Sequence, residues 1–136
     1  MRILLVEDLS ADAILFREAL RDAGLADGLT VVQNGRHALD ELRDRPAPDL
    51  MLLDLNLPGK SGREVLDEVR RDPRHSTLPI VVVTTSSAPK DIAFAYEHRA
   101  NAYVRKPNGF IALTAVARSI KEFWGRTATL PSPYAA

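Results

Sequence analysis

A doubly wound α/β fold, with five parallel strands in the spatial order 2-1-3-4-5, is the architecture this sequence predicts, and three observations carry it. Short apolar runs, clearest at residues 3–6, 50–53 and 80–83, are too brief for helices and too uniformly apolar for strands with one wet face, so they read as strands covered on both sides. Stretches with helical spacing separate them, and strands alternating with helices of about ten to fifteen residues imply right-handed βαβ units. Five such units within 136 residues suit the small doubly wound order better than the larger six-stranded nucleotide fold. The glycine-rich phosphate loop of nucleotide folds is also missing after the first strand, where Val6-Glu7-Asp8-Leu9-Ser10 places two acids instead.

In order, residues 3–6 form the first strand, and Ser10 caps a helix running to about Ala23 whose inner face is Ala13, Phe16, Ala19, Leu20 and Ala23. Gly24 ends it. The β-branched run 30–33 stops at Asn34-Gly35, and Ala38, Leu39 and Leu42 mark a second helix as far as the Arg45-Pro46-Ala47-Pro48 break. The central strand follows at 50–53 and must end just after Asp54, because Pro58 cannot continue a ladder and Gly59 and Gly62 bracket a polar turn. A third helix over 64–70 turns Val65, Leu66 and Val69 inward. After the fourth strand, 80–83, Pro89 fits the first turn of a fourth helix with Ile92, Ala93 and Tyr96 as its expected inner face. The fifth strand is 102–105, and a last helix from Phe110 to about Trp124 carries Ile111, Leu113, Val116, Ala117 and Ile120. The whole is a flavodoxin-like (βα)5 domain over residues 1–124, with 125–136 as a C-terminal extension.

The 18 basic and 18 acidic residues cancel, which argues against a nucleic-acid footprint or an anionic membrane surface and leaves proteins or small ligands as partners. No cysteine is present, so disulfides, thiolate metal sites and cysteine nucleophiles are excluded. No stretch has the length of a signal-peptide core followed by a cleavage site, or of a bilayer span, and a cytoplasmic protein is the expectation. His37, His75 and His98 stand singly without metal-ligand spacing and read as surface residues.

Chemistry is expected where the strands end, since ligands of open parallel sheets gather at the carboxyl edge. Strand one delivers Glu7 and Asp8 there, strand three Asp54, strand four Thr84 and strand five Lys106. Three crowded carboxylates repel unless a cation sits among them, and few carboxylates with water completing the shell describe Mg²⁺. Asp54 is then both ligand and candidate nucleophile, because a carboxylate can attack phosphorus to give an acyl phosphate. Phosphoryl transfer needs positioning and charge neutralisation, which Mg²⁺, Lys106 and the Thr84 hydroxyl would share.

With these residues in place, the chain resembles the receiver domains of two-component response regulators from Arg2 to about Glu122. The motifs are Leu5-Val6-Glu7-Asp8, Leu53-Asp54-Leu55-Asn56-Leu57-Pro58 with Gly62, Val83-Thr84-Thr85-Ser86, and Ala102-Tyr103-Val104-Arg105-Lys106-Pro107. The resemblance implies Asp54 as phosphoacceptor, Glu7 and Asp8 as the acidic pair serving Mg²⁺, and the backbone carbonyl of Asn56 as a further metal ligand. It implies Thr84 and Tyr103 as the switch pair, Lys106 as the phosphoryl-binding lysine, and a proline after it that in this family often follows a cis bond. Ser61 stands where the family usually has Asn or Asp, and Asn108 where an aromatic is usual.

A switch rather than a turnover enzyme is therefore expected, fed by a sensor histidine kinase. Too few residues follow Pro107 for an output domain, so the expected action is by contact with other proteins. The end of the chain, Phe123-Trp124 followed by an apolar tail with Pro131, Pro133 and Tyr134, resembles the single-domain regulators that partner phytochrome-type kinases, and implies a homodimer through the last helix and tail. Two other classes remain open on the residues alone. An aspartate-nucleophile phosphohydrolase would expect a second acid where Asn56 stands, and a phosphorylation-independent binding module would not need the strand-end residues at all.

Overall fold

The computed structural model describes residues 1–8 and 10–131; Leu9 and the end of the extension, including Pro133 and Tyr134, lie outside the described residues. Five parallel strands, β1 (Ile3–Val6), β2 (Leu29–Val32), β3 (Leu50–Leu53), β4 (Ile80–Thr84) and β5 (Ala102–Arg105), lie in the order β2-β1-β3-β4-β5. The helices are α1 (Ala11–Asp22), α2 (Gly35–Asp44), α3 (Gly62–Arg71), α4 (Pro89–Glu97) and α5 (Phe110–Glu122). A 3-10 turn (Pro73–His75) precedes β4, and a single π turn (Phe123–Thr127) follows α5. This is the expected flavodoxin-like arrangement.

Side chains alternate across the strands, which divides the core in two. Leu4, Val6, Met51, Leu53, Ile80 and Val82 face α2, α3 and α4, where Ala38, Leu42, Val65, Leu66, Val69 and Ala95 cover them. Ile3, Leu5, Leu50, Leu52, Val81 and Val83 face α1 and α5, against Phe16, Ala19, Leu20, Leu113, Ala117 and Ile120. Every residue of β1, β3 and β4 is buried, as their unbroken apolar runs require.

Capping fixes where three helices begin. Ser10 accepts from Ala13 N, Asn34 from His37 N and Ser61 from Glu64 N. The last of these gives Ser61 a local role and starts α3 two residues earlier than expected. Gly62, its first residue, is pressed against the end of β3, so closely that a Cβ there would meet the Asp54 carbonyl oxygen at 2.1 Å.

Four expectations are corrected. The inner face of α4 is Asp91, Phe94 and Ala95 rather than Ile92, Ala93 and Tyr96: Asp91 is buried because it is paired, a burial that apolar periodicity does not register, and Tyr96 is exposed. Ile111 does not join the core; it is 88% exposed, because α5 turns Leu113, Thr114 and Ala117 inward. His75 is buried rather than at the surface, with Nδ1 3.4 Å from Asp72 Oδ2, and burial lowers its pKa. No peptide bond is cis among the described residues, so Lys106–Pro107 is trans.

Candidate functional site

Parallel registration brings the strand ends level. Glu7 follows β1, Asp54 follows β3, Thr84 ends β4 and Lys106 follows β5, and the backbone locks them: Glu7 N donates to Val32 O at 3.0 Å, Asp54 N to Val6 O at 3.0 Å and Lys106 N to Thr84 O at 2.7 Å. All four side chains are buried. Lys106 Nζ lies 3.2 Å from Asp54 Oδ2 and 2.7 Å from Glu7 Oε1, and 5.7 Å from the centroid of the Phe16 ring. Asp54 Oδ1 accepts from the Asn56 amide at 2.9 Å, and the Asn56 side chain reaches the Thr84 hydroxyl at 3.4 Å.

The electrostatics follow from burial and neighbours. Glu7 is only 1% exposed; Lys106 Nζ, 2.7 Å from Oε1, is its ion-pair partner, and no neutral donor reaches either oxygen. Its pKa is raised from 4.5 to about 7, first by burial and then by the charges of Asp54 and Asp8, with Lys106 opposing. For Lys106, burial works against the charge, but Glu7 and Asp54 outweigh it and hold the ammonium above its ordinary value. Asp8 is half-buried and turns one oxygen toward Ser10 N, 3.0 Å away, just before α1.

Of the sequence-predicted residues, the structure gathers Asp54, Lys106, Glu7 and Thr84 around one point, with Asn56 alongside and Asp8 at the rim. Among the described residues no three His, Cys, Asp or Glu side chains form a ready cation cage, and Lys106 stands between the two deepest carboxylates. The donors still suit a hard divalent ion: the buried Glu7 carboxylate beside Asp54 has no partner but the Lys106 ammonium, and such an ion commonly takes one or two carboxylates with water in the remaining positions. Tyr103, on β5, is half-buried and its hydroxyl donates to Ser86 O at 2.7 Å, beyond Thr84 in the β4–α4 loop. Sequence reasoning missed the partners of that loop, Arg63 and Asp91, and the ring of Phe16 beneath the lysine. Only Ser86, inside the Thr84-Thr85-Ser86 motif, left a signal.

Fold and site together are those of a signalling receiver, a domain that presents one carboxylate at the carboxyl edge of a parallel sheet. Residues 3–118 match the response regulator receiver domain family, and the chain belongs to it. Response regulator Rcp1 of Synechocystis sp. (strain ATCC 27184 / PCC 6803 / Kazusa) is 39% identical over 136 residues, covering 96% of this chain and 92% of that protein. The crystal structure of the phosphorylated cyanobacterial phytochrome response regulator RcpA superposes with a TM-score of 0.89 at 42% identity, covering 96% of this chain and 98% of the other. The Mn²⁺-bound form of Rcp1 gives 0.86 at 39% identity, covering 96% and 98%. The chain is thus homologous to phytochrome-associated response regulators of two-component signalling.

Proposed function

We propose that Asp54 accepts a phosphoryl group from the phosphohistidine of a sensor histidine kinase of the phytochrome type, and that the chain acts as a switch rather than a turnover enzyme. The observation that carries this reading is the Lys106 ammonium 3.2 Å from Asp54 Oδ2 in a pocket floored by Glu7. In the transfer, an Asp54 oxygen bonds to phosphorus as the phosphorus–nitrogen bond breaks, and the departing imidazole takes up a proton. Lys106 neutralises one phosphoryl oxygen and the Thr84 hydroxyl donates to another. Glu7, Asp8, Asp54 and the Asn56 carbonyl would hold Mg²⁺, which would supply further charge neutralisation; the Mn²⁺-bound form of Rcp1 supports a divalent ion here.

The added dianion biases the position of Thr84 and, through the neighbouring loop, of Tyr103, changing the face made by α4, β5 and α5. A homodimer through the last helix and tail fits this face. Phe123 is exposed and meets Trp124 edge-on, and together with Val104, Val116 and Ile120 they line an apolar groove of about 610 Å³. We place its action in the cytoplasm, on protein partners, without nucleic acid or membrane contact; no helix among the described residues is long and apolar enough to cross a membrane. Incubation with acetyl phosphate and Mg²⁺, read by phosphate-affinity electrophoresis, tests the core of the reading. Wild type is expected to shift and Asp54→Asn not to; persistent labelling of the variant would refute the phosphoacceptor assignment.

A further inference from the structure

The loop between β4 and α4 is held by side chains that phosphoryl acceptance leaves unexplained. Asp91, in the first turn of α4, is 7% exposed although it carries a charge, and both its oxygens are engaged. Oδ1 pairs with Arg63 Nη2 from the first turn of α3, and Oδ2 accepts from Ser86 Oγ at 2.5 Å. The same Ser86 hydroxyl accepts from Ala88 N at 3.2 Å, at the start of a helix whose N-cap residue offers no side-chain cap. The Ser86 carbonyl in turn receives the Tyr103 hydroxyl at 2.7 Å. One serine, two residues beyond Thr84, is therefore where α3, α4 and β5 meet.

We propose that Arg63 and Asp91 are positioning residues for Tyr103: their ion pair fixes Ser86, and Ser86 presents the carbonyl on which the tyrosine hydroxyl docks. A carbonyl in a loop between strand and helix has no ladder to hold its direction, so its aim depends on the serine side chain, and that side chain depends on Asp91. Asp91 is in turn held charged, its pKa lowered first by the Ser86 hydrogen bond and then by Arg63. A partly exposed ion pair is a modest tether, but it sits in series with two further hydrogen bonds. Loss of any member frees the same carbonyl, and the three contacts behave as one unit rather than as a sum. The docked ring is then the latched position, and the tether sets how much of the population holds it. The consequence for signalling rests on Thr84 and Tyr103 being the switch pair; the docking itself does not.

The test uses the full chain with carbon-13 in its tyrosine rings, Tyr103 being assigned by Tyr103→Phe. Arg63→Gln and Asp91→Asn are each expected to move the Tyr103 ring signal toward that of a solvent-exposed tyrosine, with the undocked fraction rising roughly fivefold or more. Arg63→Lys, which keeps the ion pair, should retain the wild-type signal, and the double variant should go no further than either single one. An unchanged Tyr103 signal in Arg63→Gln would overturn the proposal, and that variant carries the test even if Asp91→Asn folds poorly, since the Arg63 side chain is 36% exposed. Phosphate-affinity electrophoresis on the same samples keeps the two readings apart. The latch variants are expected to accept phosphate from acetyl phosphate as wild type does, whereas a wild type that accepted none would overturn the Asp54 reading and leave the ring signal to decide the latch.

Discussion

Replacing Gly62 by alanine sets two ordinary expectations against each other. Alanine favours a helix over glycine by at most about 1 kcal/mol, and by less at a first helical position, so propensity alone predicts a slightly more stable protein. The packing says otherwise. A Cβ on Gly62 would lie 2.1 Å from the Asp54 carbonyl oxygen, 2.5 Å from Leu55 Cα and 2.9 Å from the Asp54 carbonyl carbon. All three are main-chain atoms, so no side chain can rotate aside, and α3 must withdraw from the end of β3 by about 1 Å to restore a C···O contact of about 3.3 Å. Forced overpacking of this kind costs about 1–3 kcal/mol. Stretching the hydrogen bond from Gly62 N to Leu55 O, now 3.1 Å, costs about 1 kcal/mol more. The net expectation is a loss of about 1–4 kcal/mol, read as a lower urea midpoint at unchanged slope. Because the displaced carbonyl belongs to Asp54 itself, phosphorylation by acetyl phosphate should also slow. A Gly62→Ala protein as stable as wild type, or more so, would show that α3 is not seated on the phosphoacceptor strand as described.

Three further outcomes can be checked. In chelator-treated protein the Glu7 carboxyl, raised from 4.5 to about 7 mainly by burial, favours the fold below pH 4.5, and that contribution of about 3 kcal/mol is lost as pH rises through about 7. Glu7→Gln should remove this falling limb; His75, lowered by burial, pulls the other way below its usual 6.5, so the measure is the difference between the two stability profiles, and parallel profiles would refute the assignment. Arg70 is buried and donates to Arg99 O at 3.0 Å, His75 O at 3.1 Å and Asn101 Oδ1 at 3.0 Å, so Arg70→Met should cost about 2–4 kcal/mol in urea unfolding, and a cost under about 1 would argue against its role as a tie. Truncation after Glu122 should convert a dimer to a monomer by light scattering; an unchanged mass would dispose of the tail-mediated dimer.

The sheet was legible because unbroken apolar runs admit few alternatives: strands covered on both faces need helices on both faces, and five βαβ units in a chain this short suit the small doubly wound order. That order also brings five chemistry-bearing residues scattered from Glu7 to Lys106 to one edge of the sheet on sequence grounds alone. Helix α1 was read correctly in full because its inner face, from Ala13 to Ala23, is purely apolar. Helix α4 was misread for the opposite reason. It is short, and it buries a carboxylate whose partner is Arg63, 28 positions away, so periodicity gave weight to Ile92 and Tyr96 instead. His75 escaped notice similarly, since its carbonyl is held by Arg70 and its ring is sheltered by a turn that no pattern predicts. Ionic and hydrogen-bonded burial between distant elements is the part a single sequence does not display.

The site divides into a rigid and a tunable part, and the division follows the kind of bond. Thr84 and Lys106 cannot move far relative to each other, because a backbone hydrogen bond of 2.7 Å ties them, and Asp54 N is tied in the same way to β1 at 3.0 Å. Backbone pairing at the ends of four strands thus fixes the acceptor, the hydroxyl's strand and the amine to the geometry that phosphoryl transfer needs. The loop that follows Thr84 is different: Ser86 is held through its side chain and through the hydroxyl of Tyr103. Exposed or half-buried side-chain contacts of this kind can be exchanged at lower cost than ladder hydrogen bonds, whose loss leaves buried backbone groups unpaired. On the phosphorylation proposed for Asp54, the added charge is therefore expected to be felt along Thr84 in the Ser86 loop, at the surface bounded by α4 and β5, rather than in the paired strand ends.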